Sequence, residues 1–405
     1  MGALSHIRVL DLSRVLAGPW ATQILGDLGA EIVKIEKPGE GDETRAFGPP
    51  FLQTRDGERG DATYFLSANR NKQSVTIDFS KPEGATLVRR LARRSHIVVE
   101  NFKTGTLARY GLDYATLAAD NPALVYCSLT GFGHDGPYKD KAGYDYLIQG
   151  MGGLMSITGQ PDGAPGAEPM KVGVAVSDLF TSLYSAIAIL AALIHQGQTG
   201  EGQAIDMALF DCQAAALANQ ATNYLVGGTA PTRLGNAHPN IVPYQVFPTA
   251  DGHLILAIAN DRQFARFCSA AKLDHLAADP RFVTNAGRVD NREAIIDLLK
   301  PVLAARATAD WIALLEAANV PCGPINTVGQ VFADPQAIAR GLTVSMAHAA
   351  AGPVDLVASP VRLTKTPPEY RSAPPLLGQH TDDVLNGVLG LSPEEIKKLR
   401  SDGVV

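Results

Sequence analysis

Five short apolar runs, at residues 7–12, 31–36, 74–79, 97–100 and 124–129, constrain this chain more than any other feature. They are rich in Val, Ile and Leu, so each reads as a buried β-strand. The gaps between them are too long for hairpin turns. Gly18-Pro19 precedes a helical pattern at 21–28 that Gly29 stops, and Pro82 opens another that runs to about Arg94. Strands that alternate with helices pair side by side in parallel, which predicts a doubly wound α/β sheet.

Further on, the pattern predicts a long helix over 178–196, a QTGEG turn at 198–202, a strand at 204–207 and a helix at 210–225. Residues 227–231 read as a linker. A strand at 252–258 and helices at 261–271, 292–304 and 309–318 describe a smaller α/β domain. The proline-rich stretch 367–375 is extended and suited to wrapping another domain or a partner subunit. A short helix follows at 393–400.

Composition narrows the function classes. Apolar residues make up 46% of the 405 positions and charged residues 19%, which supplies packed cores and argues against general disorder. A formal net charge of −6 argues against nucleic acid as a partner. The dense basic cluster Arg89, Arg90, Arg93 and Arg94 has helical spacing and reads as a solvated helix end or a lure for an anion. Cys127, Cys212, Cys268 and Cys322 form no CxxC pair, which argues against a zinc site or disulfide framework and fits a reducing compartment. The N-terminus lacks the pattern of a secretory signal, so a cytoplasmic location is expected. The apolar stretch 179–194 carries Thr181, Ser182 and Ser185 and reads as a buried core helix, since a membrane span needs about 20 mostly apolar residues.

Few residues stand out chemically. The turn Leu16-Ala17-Gly18-Pro19 lacks the GxGxxG fingerprint, and there is no GxxxxGK[ST] loop, although free N–H groups at such a turn can still hold an anion. Asp178 follows a strand-like run at 172–176 and precedes the long helix. That places it beside a helix N-terminus, either as an ordinary N-cap or as a reactive carboxylate at the end of a strand. His134 in GFGHDGP and His238 in GNAHP sit in turn-rich loops without partners at metal-ligand spacing, so no metal site is expected.

Several segments line up in order along the chain. They are RVLDLSRVLAGPWATQILGDLGAEIVKIEKPGEGDETR (8–45), NRNKQSVTIDF (69–79), VENFKTGTLARYGL (99–112), AGYDYLIQGMGG (142–153), TGEGQAIDMALFD (199–211), RLGNAHPNIVPYQVF (233–247), NAGRVDNR (285–292), VPCGPINT (320–327) and PLLGQHTDDVL (375–385). Together they resemble the class III CoA-transferases, the CaiB/BaiF type that includes formyl-CoA transferase and succinyl-CoA-dependent dicarboxylate CoA-transferases. The resemblance implies a Rossmann-like large domain built from both chain ends, a smaller α/β domain, and two chains interlocked in a homodimer. On that basis residues 1–226 are the large CoA-binding domain, 227–330 the small domain, and 331–405 a linker and a return to the large domain.

The resemblance also implies roles. Asp178 falls on the family's nucleophilic aspartate. Val15, Leu16 and Ala17 match the turn that contacts CoA, and Lys37 and Arg109 match basic residues on its phosphates. Ala68, Asn71, Asn101, Phe102 and Lys103 match loops lining the CoA groove, and Tyr144, with Lys141 nearby, matches a tyrosine beside the thioester. Acyl-CoA and carboxylic acids are the implied partners, with CoA a substrate, no permanently bound cofactor, and no nucleic acid or membrane. Arg233, Gly235, Asn236 and His238 belong to a small-domain loop, a candidate lid. There Arg233 or His238 would meet the distal carboxylate of a dicarboxylic acid. The loop lacks the glycine run of formyl-CoA transferases, which points away from formyl and oxalate substrates.

The implied reaction is covalent: Asp178 takes the acyl group as a mixed anhydride, then CoA as a thioester, and passes CoA to a second acid. The nearest alternative is an α-methylacyl-CoA racemase, which shares the fold and uses a His in GHD where this chain has Gly143-Tyr144-Asp145. Tyrosine, with a reference pKa near 10, is a poor base at neutral pH. The other alternative is a non-catalytic acyl-CoA-binding protein, and an intact Asp178 argues against it.

Overall fold

A computed structural model describes residues 1–405, which fall into two compact units. The first comprises Met1–Leu154, Val172–Gly227 and Gln336–Val405, the second Met155–Lys171 and Gly228–Pro335. The sequence reading left 155–171 with the first segment. The structure joins it to the second unit, where Gly235 N–H donates to Gly159 C=O (3.0 Å) and Arg233 pairs with Asp162.

The first unit is built on a six-stranded, wholly parallel sheet: β1 (Arg8–Asp11), β2 (Glu31–Glu36), β3 (Lys72–Thr76), β4 (Ile97–Glu100), β5 (Val125–Thr130) and β6 (Ala204–Ala208). The order is β3-β2-β1-β4-β5-β6, so the direction of winding reverses between β1 and β4. Side-chain alternation splits each strand between two cores. Val9, Ile32, Val99 and Cys127 pack with Leu25 and Ile189 on one face. Leu10, Val33, Val75 and Val98 pack on the other with Leu87, Val88 and Leu91. Val384, Leu385 and Ile396, from the C-terminal helices Thr381–Leu389 and Pro393–Ser401, join that second core, so the end of the chain returns to the large sheet.

Five helices matter for the site: α1 (Ala17–Asp27), α2 (Pro82–Ala92), α3 (Asp145–Met151), α4 (Val176–Thr199) and α5 (Leu209–Ala216). The run 172–176 is not a strand: Val172 N–H is taken by the Gln149 side chain (2.8 Å), and the helix α4 already begins at Val176. The helix expected over 210–225 breaks at Leu217, and Ala218 is left-handed (φ 48°).

α4 is the one helix long and apolar enough to cross a membrane. The buried core helix expected there is buried on one face only. Its inner face is small and polar, with Thr181, Ser182 and Ser185 buried, and Ser182 Oγ reaches Ala17 C=O at 2.7 Å. The small residues allow close approach to α1, which leaves Leu183, Tyr184, Ile187 and Ile194 exposed on the outer face.

The second unit has a three-stranded antiparallel sheet, with His253–Ala257 between Tyr244–Pro248 and Cys322–Gly323. Helices Asp261–Ala270, Arg292–Ala304 and Thr308–Ala317 close a core of Phe247, Phe264, Phe267, Leu299 and Trp311. The strand ending at Pro248 and the hairpin Thr343–His348/Gly352–Val357, within the expected linker, are additions to the sequence reading.

Candidate active site

In an open parallel sheet the loops leaving adjacent strands diverge where the winding reverses, and a crevice opens outside the carboxyl ends. Here those loops follow β1 and β4. The first is held from below by buried charge. Asp11 accepts from Ser13 N–H (2.9 Å), Ser13 Oγ (2.5 Å), Thr22 Oγ1 (2.6 Å) and Lys72 Nζ (3.1 Å). Lys34 Nζ donates to Ser13 C=O (2.8 Å) and Asp42 (2.9 Å). Burial alone would raise the Asp42 carboxyl, but Lys34 and the Thr44 donors outweigh it and hold it at about 2. Burial lowers Lys72 to about 8 in spite of Asp11.

This floor imposes an unusual backbone. Val15 adopts φ 68°, a conformation that costs a β-branched residue roughly 1–3 kcal/mol, and its N–H points at the Asp42 carboxylate (3.2 and 3.3 Å). At Gly18 any Cβ would lie 2.3 Å from Ser13 Cβ, so only glycine lets the turn close. Asn101, just past β4, clasps the turn from the other side: its Oδ1 accepts from Arg14 N–H (2.9 Å) and its Nδ2 donates to Arg14 C=O (2.6 Å).

Asp178 lies in the first turn of α4, two residues inside the helix. It is not the N-cap. The N-cap residue is Ala175, and the capping acceptor comes from Asp145 at the start of α3, whose Oδ1 accepts from the N–H groups of Ser177 (2.8 Å) and Asp178 (3.4 Å). Fully buried Gln149 fixes Asp145 through Nε2 (2.7 Å) and the segment entering α4 through Val172 N–H (2.8 Å). The half-buried Asp178 carboxylate takes no hydrogen bond of its own. Burial, and then the charge of Asp145, push it from 3.8 up to about 7. The Tyr144 loop is seated by glycine: a Cβ on Gly131, after β5, would meet Gly143 Cα at 2.5 Å.

Asp178 lines a cavity of about 180 Å³ with Val15, Leu16, Ala17, Asn101, Phe102, Lys103, Lys141 and Tyr144. Arg14 and Phe102 also line a second cavity of about 650 Å³ that includes Lys37 and Phe79. Phe79 and Ser80 in turn border a groove of about 400 Å³ that holds Arg109 and Arg89. Neighbours in this row share lining residues, and the row runs from a free carboxylate to a basic end. Residues 4–381 match the family model described as CoA-transferase family III.

The chain belongs to that family. It is 52% identical over 382 residues to the succinate–glutarate CoA-transferase of Agrobacterium fabrum, covering 94% of each chain. It is 42% identical over 405 residues to the mouse (Mus musculus) succinyl-CoA:glutarate CoA-transferase, covering 100% of this chain and 91% of that one. A crystal structure of a CAIB/BAIF family protein from Brucella suis superposes with a TM-score of 0.84 at 49% identity, covering 96% of this chain and 99% of that one.

As a family III CoA-transferase, the chain assembles nine of the sequence-derived site residues around one cavity, and two others do not fit. Ala68 has no exposed surface. Asn71 is buried with its amide spent on Asp27 (2.8 Å), Glu369 C=O (2.7 Å) and Arg371 N–H (2.8 Å), so it ties the chain ends together instead of facing a groove. Lys37 is engaged by Glu40 (2.6 Å) at the surface, and Lys141 rests on the Tyr138 ring (3.7 Å). In the second unit Arg233 is already paired with Asp162. Gly235 takes φ 60° beside Gln160 and leads, through Asn236, to His238. The His238 ring packs on Tyr244, its Nδ1 accepts from Asn240 N–H (3.1 Å), and burial, followed by Arg292, lowers its pKa. Sequence reasoning missed Arg14 and Asp145 as site residues. Both lay inside quoted segments, but nothing local distinguished them.

Proposed function

We propose that this CoA-transferase moves CoA from succinyl-CoA to a dicarboxylic acid through covalent intermediates on Asp178. The observation that carries the reading is the unbonded Asp178 carboxylate on the first turn of α4, lining the cavity at the switch point. An Asp178 oxygen attacks the thioester carbonyl, the C–S bond breaks, and CoA thiolate leaves a mixed anhydride. The thiolate then attacks the Asp178 carbonyl and releases succinate, giving an aspartyl-CoA thioester. The acceptor carboxylate repeats the sequence in reverse and leaves as its CoA ester, restoring Asp178. The nucleophile must be ionised, and with its pKa near 7 it is at once charged and poorly solvated at neutral pH, which favours attack.

The series of cavities suits an extended CoA. Its thioester would sit by Asp178 and Tyr144, its nucleotide between Arg14, Lys37 and Phe79, and a phosphate at Arg109. The names of the 52% and 42% identical relatives support succinate and glutarate as the acid class. Within the second unit Arg233 is committed to Asp162, whereas His238 keeps Nε2 unengaged. The apolar outer face of α4 supports pairing of two chains in a homodimer. His134 lines a different cavity and is bonded to Ser128, which disfavours the racemase alternative.

The test is CoA exchange: purified protein with succinyl-CoA and a panel of acids, beside Asp178→Ala. New acyl-CoA from the wild type alone supports the assignment and names the acceptor. Exchange that survives in the variant refutes it.

A further inference from the structure

Behind the cavity wall lies a cluster that the proposed chemistry does not use. Glu100, the last residue of β4, is buried, and its pKa is pushed up to about 7 by burial. One of its oxygens accepts from Phe102 N–H at 2.8 Å, and the other accepts from Ser128 Oγ on β5. His134 Nε2 bonds the same Ser128 Oγ at 2.8 Å, and His134 N–H donates to Asp206 of β6 at 3.0 Å. GFGHDGP, singled out in the sequence and left without a role, thus braces Glu100 from behind.

The geometry of the loop gives this brace its importance. Residues 101–104 separate two spaces. In front is the Asp178 cavity. Behind is a mostly apolar cavity of about 360 Å³ lined by Glu100, Lys103, Thr104, Ser128, His134 and Asp206 among others. Lys103 and Thr104 border both. Within that wall only the Phe102 ring is packed, edge-on against Phe79 (5.6 Å) and beneath Arg14 (5.1 Å), and Thr104 Oγ1 is buried without a partner, so it anchors nothing. The backbone at 101–102 is tied by two sets of hydrogen bonds: Glu100 on Phe102 N–H, and the Asn101 clasp on Arg14. Phe102 in turn is the partition between the Asp178 cavity and the 650 Å³ one.

We infer that Glu100 is a positioning residue of the acyl-CoA site: braced by Ser128 and His134, its carboxyl fixes the 101–104 loop and so sets the width of the passage at Phe102. This rests on the proposed site around Asp178. It touches no reacting atom, so its removal loosens CoA binding and leaves the chemical step intact.

The experiment measures the Kd for CoA by titration calorimetry and kcat at saturating succinyl-CoA. Glu100→Ala is expected to weaken CoA binding roughly tenfold, the value of a charge-assisted hydrogen bond, with kcat within about twofold of wild type. Glu100→Gln keeps an acceptor for Phe102 and a donor for Ser128, and restores Kd to within about twofold. A double variant with Asn101→Ala loses less than the sum of the singles, because both act through one loop. Unchanged binding in folded Glu100→Ala, no rescue by glutamine, or strict additivity would overturn the inference. If Glu100→Ala does not fold, Ser128→Ala reads the same brace, with about threefold weaker binding expected and unchanged binding refuting it. Asp178→Ala separates the two claims. Retained exchange there sinks the site itself, whereas lost exchange beside an unaltered Glu100→Ala sinks only the positioning role.

Discussion

Asp178→Asn is expected to abolish exchange and, at neutral pH and above, to stabilise the fold. The group titrates near 3.8 when unfolded and near 7 in the native state, where burial and Asp145 oppose its charge. Between those values the native state binds the proton more tightly, so wild-type stability falls as pH rises from about 4 to about 7. A rise of about three pH units is worth about 4 kcal/mol at roughly 1.36 kcal/mol per unit. Asp178 is only half-buried and borders an open cavity, so solvent screening reduces this to about 2 kcal/mol. Asparagine keeps the shape and lacks the charge. Urea unfolding of both proteins at pH 4, 6 and 8 therefore gives converging stabilities at pH 4 and an excess of about 2 kcal/mol for the variant at pH 8. A variant no more stable at pH 8, or a difference that does not change with pH, would refute the account of Asp178 as a charge held at a cost.

Two further outcomes follow from the site. Asp145→Asn keeps an oxygen for the Ser177 N–H and removes the charge beside Asp178, so the acid limb of kcat/KM moves down from about 7 by about one pH unit; a limb that stays in place rejects Asp145 as the cause. Arg109→Ala raises KM for acyl-CoA by roughly tenfold with turnover nearly unchanged, and the reverse pattern in steady-state kinetics removes Arg109 from phosphate binding.

The strands were legible because parallel strands covered on both faces are apolar throughout, so residues 7–12 and 97–100 announce themselves without alternation. Their order in the sheet was not, since local sequence carries no record of which strands become neighbours. The adjacency of β1 and β4, which makes Val15 and Asn101 line one crevice, appears only in the folded chain. Asp178 was ambiguous for a related reason. Its pattern suits an N-cap as well as a nucleophile, and the capping carboxylate that frees it comes from Asp145, 33 residues away. Asn71 shows the opposite failure. A polar residue in a matched segment looked like a groove contact, yet its left-handed backbone (φ 62°) turns the amide inward to bind four backbone and side-chain partners. The small apolar run 172–176 had strand composition, but its backbone is claimed by the Gln149 side chain and the start of α4.

The buried pairs Lys34–Asp42 and Lys72–Asp11 have essentially no exposed surface. Losing one partner of such a pair strands a charge in the interior at a cost of about 3–5 kcal/mol, much of the roughly 5–15 kcal/mol that keeps a typical protein folded. Changing both partners to apolar residues costs far less, but two codons must change together. The floor beneath the first turn is therefore an evolutionary ratchet. The loops above it can drift one residue at a time toward new acids, while the shape of the turn they share is passed on whole.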